Sequence, residues 1–422
     1  MNYKKTTLSN GLRILTIPMK NTETVTVTVM VGVGSRYETE KEAGLSHFIE
    51  HMMFKGTEKR PTTLDIAGEL DSVGGEYNAF TSKDKTLYYA KVDAKHIGTA
   101  MDVISDMYLN SKISEDEITR EKGTIIQELN MYEDTPLMSI GDVFETLLYD
   151  GNYLGREIIG YKKTIASFER KNFIDYKNRF YVANDTVVCI AGKFSEKDAM
   201  KKVKNYFSKM PKGKKPSFNK VDGKQMKPKI RIKYKETDQT HLVLGNRAFD
   251  YNHKDRFVLG LLAIILGGNM SSRLFTEIRE RRGLAYRVST GTESYEDCGY
   301  IATQAGVDHD KLELTIKTIL DEYRKIATEK VSDKELQNAK DYIKGKSVMG
   351  FESSDEVAMF FVDQEVKKEK IMTLPEIFEK IDKVTQSDIL RVAKDVFQNK
   401  KLNLAVIGPH RDGRKLERIL KL

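Results

Sequence analysis

The hydrophobic positions of this chain first fall into alternation. Val25, Val27, Val29, Val31 and Val33 share one face of the segment Thr24 to Val33, the pattern of a half-buried strand. Ahead of it, Asn10-Gly11 separates two short runs, Tyr3 to Leu8 and Leu12 to Ile17, and predicts a tight hairpin. The period then changes. Leu45, Phe48, Ile49, Met52, Met53 and Phe54 make an apolar helical segment, with Gly44 opening it and Lys55-Gly56 closing it. A second helical stretch, Thr63 to Val73, precedes two strands, Glu76 to Ser82 and Thr86 to Val92, and a helix from Lys95 to about Asn110. Ser114, with Glu117 three residues on, predicts a capping box that opens a long helix. A strand from Asp185 to Gly192 and a helix ending near Met210 complete the first half.

The second half repeats this order. Ile113 to Glu117 resembles Val331 to Glu335, an offset of 331 − 113 = 218, and the strand closed by Gly192 resembles the one closed by Gly408, an offset of 408 − 192 = 216. Agreement between separate anchors predicts an internal duplication. The expected fold class is α+β, with two homologous domains, 1–210 and 229–422, each a mixed and mostly antiparallel sheet with packed helices. The lysine-rich stretch around 211–228, broken by Pro211, Gly213, Pro216, Gly223 and Pro228, is expected to be a solvated linker.

Composition narrows the function more than the fold. A net charge of +8 admits nucleic acid as a partner, but the 70 basic residues are scattered among 62 acidic ones. No glycine-rich phosphate loop followed by lysine and no aromatic-basic RNA platform is present, so the expectation is no nucleic-acid partner. The longest apolar run, Phe257 to Gly268, is too short and glycine-broken to span a bilayer, so no membrane partner is expected either. Two distant cysteines, Cys189 and Cys298, and an opening without a signal-peptide pattern lead to an expected cytoplasmic location.

The chemistry lies in the apolar helix. His47-Phe48-Ile49-Glu50-His51 sets two imidazoles and a carboxylate on one helical face. Two imidazoles a turn apart can hold one zinc ion, leaving room for a third ligand and a water, and Glu50 is placed to act as general base. The inverted spacing His-x-x-Glu-His is a zinc peptidase signature. Histidines also serve as ordinary half-buried helix residues, but three polar groups in an apolar helix need partners, which a metal provides. The duplication supplies a test: at the 218 offset, Ile265 to Asn269 stand in place of the motif, with Ala339 and Lys346 in place of Glu121 and Glu128. The second copy lacks every candidate ligand, which assigns the metal to the first domain. Glu121 and Glu128 lie seven residues apart on the long helix; spacing alone leaves both as solvated helix glutamates.

The chain resembles the pitrilysin or insulinase-type zinc peptidases, in the short branch that includes the mitochondrial processing peptidase. The resemblance rests on Leu8 to Leu12, Gly44 to Thr57, Gly74 to Thr81 and Glu121 to Glu128. In the second half it rests on Gly267 to Phe275 and Ile278 to Tyr286. It implies half of a clamshell, with one zinc per chain held by His47, His51 and Glu128, and Glu121 as the supporting acid. Glu50 is then the base of a zinc endopeptidase. Asn78, Ala79 and Phe80 are implied to lie on an edge strand that pairs with an extended peptide or unfolded polypeptide, and Arg279 and Tyr286 to form the substrate side. The resemblance also implies a composite chamber closed by two chains; one chain carrying both sets of residues favours a homodimer over a heterodimer that divides them.

Overall fold

The computed structural model describes residues 2–214, 217–367 and 370–422. Its chain forms eleven strands among these residues: β1 (Lys4–Thr7), β2 (Arg13–Pro18), β3 (Thr24–Val31), β4 (Glu76–Thr81), β5 (Thr86–Asp93), β6 (Thr186–Gly192), β7 (Lys229–Tyr234), β8 (Thr240–Ala248), β9 (Ala285–Ser294), β10 (Gly299–Val307) and β11 (Leu402–Gly408). They make one sheet ordered β1-β2-β6-β3-β5-β4 and another ordered β7-β11-β8-β10-β9. Pairing is antiparallel throughout except that β2 runs parallel to β6, and β7 to β11. The mixed, mostly antiparallel sheets with packed helices are the expected α+β architecture. The hairpin at Asn10-Gly11 forms as the sequence predicts: Gly11 takes φ 88°, and Asn10 Nδ2 ties the turn to the carbonyls of Phe207 and Met210 at 2.8 and 3.1 Å.

The duplication is visible element by element. Each sheet carries its one parallel pair in the same place, and β2 to β7 is an offset of 229 − 13 = 216. The long helix Glu115–Asp134 has its counterpart in Asp333–Gly350, an offset of 333 − 115 = 218. The helix that follows β3, Leu45–Met53, has its counterpart in Arg256–Ala263 after β8, and there the offset is 256 − 45 = 211. The window Ile265 to Asn269 is therefore not the counterpart of the histidine motif. At 211 the positions of His47, Glu50 and His51 fall on Val258, Leu261 and Leu262, all buried. The second copy has seven extra residues between these two helices, since 218 − 211 = 7, and a single offset hides that gap. The absence of ligands in the second copy stands on the corrected positions.

The compact units do not follow the division into 1–210 and 229–422. One unit takes the chain to Asn130, Arg156–Asn219 and Ser347–Leu374; the other takes Met131–Gly155, Lys220–Lys346 and from Pro375 to the end. Each half gives up one helix. Ser354–Val366 packs on β3 and β6, where Val357, Ala358, Phe361 and Val362 meet Leu15, Ile17, Met30 and Cys189. Pro136–Leu148 packs on β8 and β11, where Ile140, Phe144 and Leu148 meet Val243, Ala405 and Ile407. These two helices are duplicates, 354 − 136 = 218, exchanged between the halves. The exchange also corrects the picture of β3 as half-buried. Thr26 and Thr28, on its polar face, are fully buried, and Thr26 Oγ1 is satisfied by Ser354 Oγ at 2.8 Å.

The lysine-rich connection is anchored where it is not basic. Phe218 lies 3.7 Å beneath the Arg36 guanidinium and meets the Tyr37 ring edge-on. Gln225, buried, donates to the carbonyls of Lys227 and Leu402, both at 3.0 Å. A solvated linker describes its lysines but not these two residues; Lys215 and Pro216 lie outside the described residues.

Candidate metal centre

The Leu45–Met53 helix is held from both sides. Phe48, Ile49, Met52 and Met53 are fully buried, and the Phe48 ring meets Phe173 at 4.8 Å. At its start, Gly44 takes φ 96°, and a Cβ there would lie 2.6 Å from the Ile159 carbonyl, so only glycine fits. The first free N–H groups are met by a carboxylate from outside the helix. Glu38 accepts from Gly44 N at 2.8 Å and from Ser46 N at 2.6 Å. Glu38 is wholly buried, and burial pushes its carboxyl up to about 7 despite those bonds.

This packing turns His47, Glu50 and His51 to the polar side, facing the Glu115–Asp134 helix and the end of β4. His47 Nε2 lies 3.6 Å from Glu128 Oε1, and His51 Nε2 lies 3.5 Å from Glu128 Oε2. One ligand atom from each of the three residues falls within 4.8 Å of the other two, the one such group among the described residues. A tetrahedral zinc with bonds of about 2.0–2.1 Å holds its ligand atoms about 3.3 Å apart. The trio fits the ion with small adjustments.

Protonation favours the same outcome at His47, whereas at His51 burial is outweighed by the Glu121 bond and the nearby carboxylates, which raise its pKa. Burial, then the neighbouring His51, pushes the His47 imidazole down to about 3, which leaves a neutral ring with a lone pair to offer. His47 Nδ1 is buried without a hydrogen-bond partner, so Glu128 and a metal on the Nε2 side are what this ring has to address. His51 is gripped from both ends. Its Nδ1 lies 2.8 Å from Glu121 Oε1, and an ionised carboxylate only accepts, so Nδ1 carries the proton and Nε2 faces Glu128. Glu121 is buried; burial raises its pKa, but the bonds from His51 and from Lys55 Nζ, at 2.6 Å, outweigh that and hold it ionised.

Glu50 is not in the ligand trio. Thr81 Oγ1 donates to Glu50 Oε2 at 2.5 Å. Burial raises the Glu50 carboxyl above its ordinary range, and the Thr81 bond works against that rise. Glu128 is likewise raised, chiefly by burial, with the His51 charge opposing. Asn78, Ala79 and Phe80 lie on β4, at the edge of the six-stranded sheet, paired with Tyr89, Tyr88 and Leu87 of β5. Ala79 is half-buried on the face that Thr81 shares, while Asn78 and Phe80 are exposed on the other face. Arg279 and Tyr286 meet each other in the second unit. The Arg279 guanidinium stacks 4.6 Å from the Tyr286 ring centre and donates to the Tyr286 carbonyl at 3.1 Å. Tyr286 stands 79% exposed, so its hydroxyl is free to meet a ligand.

Sequence reasoning missed Glu38; it placed Thr81 on the substrate strand and Lys55 at the end of the histidine helix without giving either a bond at the site. Lys55 had a signal, because it lies one helical turn beyond His51 on the same face. Glu38 and Thr81 act across gaps in the chain that periodicity does not bridge.

A duplicated α+β protein with His-x-x-Glu-His on a buried helix, a glutamate completing the trio and no ligands in the second copy defines the inverted-motif zinc peptidase class. Comparison with known proteins agrees. Residues 13–162, which hold the whole trio, match the family described as Insulinase (Peptidase family M16), and residues 167–343 match Peptidase M16 inactive domain. The chain is 35% identical to the uncharacterized zinc protease YmxG of Bacillus subtilis (strain 168), over 96% of this chain and 98% of that one. The fold is shared with the crystal structure of a protease from Helicobacter pylori, at a TM-score of 0.90 and 22% identity, covering 97% of this chain and 99% of that one. It is also shared with a chain of Complex III2 from Candida albicans, at a TM-score of 0.85 and 17% identity, covering 99% and 100%. The chain belongs to the insulinase family, peptidase family M16. Among the described residues no helix is long and apolar enough to cross a membrane.

Proposed function

We propose that the protein is a zinc endopeptidase acting on peptides and extended, unfolded polypeptide segments. The observation that carries this reading is the convergence of His47 Nε2, His51 Nε2 and the Glu128 carboxylate, with Glu50 on the same helical face. A zinc ion held by these three residues supplies Lewis acidity, polarising a carbonyl and bringing the pKa of water toward neutrality. Glu50 takes the proton from the attacking water and hands it to the leaving amine nitrogen, so the elements of water are added across the peptide bond. Glu121 keeps the His51 proton on Nδ1. The free edge of β4 pairs with the substrate main chain, which favours extended segments of loosely defined sequence over folded proteins.

Purified protein is expected to contain one zinc per chain and to cleave members of a quenched peptide panel. A chelator should abolish turnover and zinc should restore it. Protein that holds zinc but cleaves nothing would point to a peptide carrier; protein with neither would be a non-catalytic assembly subunit.

Arg279 and Tyr286 complete the proposal as a substrate side contributed by a second copy of the chain, with Tyr286 donating to the developing oxyanion and Arg279 orienting it. An inactive Glu50→Gln chain mixed with an impaired Tyr286→Phe chain is expected to recover part of the wild-type turnover. Absence of recovery in verified mixed dimers would remove the shared site.

A further inference from the structure

We infer that Thr81 is the positioning residue for the base, so that the strand offered to substrate also sets the direction in which Glu50 accepts its proton. This rests on the proposed role of Glu50, and on a chain of contacts independent of it. Thr81 is the last residue of β4, paired with Thr86 across a hairpin whose tip is not left free. Ser35 N donates to the Ser82 carbonyl at 3.1 Å, and Arg36 N to the Lys83 carbonyl at 3.0 Å. The approach is so close that a Cβ on Gly34 would lie 2.0 Å from the Ser82 carbonyl oxygen. Arg36, in turn, is fixed between Asp84, at 3.1 Å, and the Phe218 ring.

Two residues further along the same segment, Glu38 holds Gly44 N and Ser46 N at the start of the histidine helix. Residues 34–38 therefore form a yoke, with one end bonded to the tip of the substrate strand and the other to the helix of the base. Across it, the Thr81 hydroxyl donates to Glu50 Oε2. A carboxylate oxygen occupied this way has its plane fixed, and the remaining oxygen, Oε1, is the one left to receive a proton. A substrate main chain paired along β4 would be registered on the same strand. Base and scissile bond thus share one reference, and an error of about 1 Å in such a placement can cost on the order of 100-fold in rate.

Two variants separate the hydroxyl from the shape of the side chain. Thr81→Val keeps the β-branched outline a strand prefers and removes the donor, whereas Thr81→Ser keeps the donor. With a quenched peptide, Thr81→Val is expected to lower kcat about 10- to 100-fold, with KM changed less than about twofold and zinc content at wild-type level. Thr81→Ser should stay within about threefold of wild type. In a Glu50→Gln background, Thr81→Val should bring no further loss. Wild-type kcat in Thr81→Val, or equal losses in the Val and Ser variants, overturns the proposal; Thr81→Ala replaces Thr81→Val if the latter does not fold. Should Glu50→Gln keep full turnover, the base reading itself falls, a result distinct from any obtained with Thr81.

Discussion

Glu50→Gln is expected to lower kcat by about 10²- to 10⁴-fold while zinc content, zinc affinity and fold stay at wild-type level. The amide has the volume of the carboxylate and can still accept the Thr81 hydrogen bond through its oxygen, so the geometry around β4 survives. What it cannot do is take a proton. Glu50 stands outside the trio formed by His47, His51 and Glu128, and so the metal need not notice the change. Its burial matters for the size of the effect, because it raises the carboxyl above the ordinary range and makes the ionised form a better proton acceptor. Steady-state kinetics on one peptide, with metal analysis of the same samples, checks the expectation. Turnover within tenfold of wild type at equal zinc would take the general-base role away from Glu50 and leave it a structural neighbour of the metal.

The residues proposed to carry this chemistry were legible because they sit close together in sequence and repeat at a helical period. His47, Glu50 and His51 need only one helix to share a face, and Glu121 and Glu128 need only another. Spacing could not bring the two helices together; the family resemblance supplied that step, and the structure now gives it distances. The helix exchange was not legible for a related reason. The apolar residues of Pro136–Leu148 and Ser354–Val366 state that these helices must be buried, not which of two similar sheets buries them. The same limit hid Thr26 and Thr28, whose alternation with valine marks an outward face until a helix from the other half covers it with Ser354. Glu38 was hidden differently. A charged residue in an acidic stretch, Glu38 to Glu42, has the appearance of a solvated loop, and only its two bonds to the start of the histidine helix give it a task.

Glu128→Gln and Glu121→Gln are expected to part company in zinc affinity, and the gap between them decides which glutamate is the ligand. Both address the same imidazole: Glu121 meets Nδ1 of His51, and Glu128 lies toward Nε2. Only Glu128 also approaches His47, so it alone can close a three-residue site. Replacing it with a neutral amide removes an anionic ligand and leaves two imidazoles, which do not make a stable catalytic zinc site. Replacing Glu121 leaves the three ligands in place but loosens the hold on the His51 proton and strands Lys55, whose ammonium pairs with the other Glu121 oxygen. Loss of such a supporting partner costs about 10- to 100-fold in metal affinity. Competition with a chromophoric chelator should therefore show Glu121→Gln weakened by about that factor, and Glu128→Gln weakened well beyond it. Without metal, Glu128→Gln should keep the wild-type thermal midpoint to within a few degrees, because that carboxylate is half-buried, whereas Glu121→Gln should lower it, because its buried carboxylate pairs with both His51 and Lys55. If Glu121→Gln proved the more damaging of the two, the roles would be reversed, and His47 would need another partner than the one 3.6 Å from its Nε2.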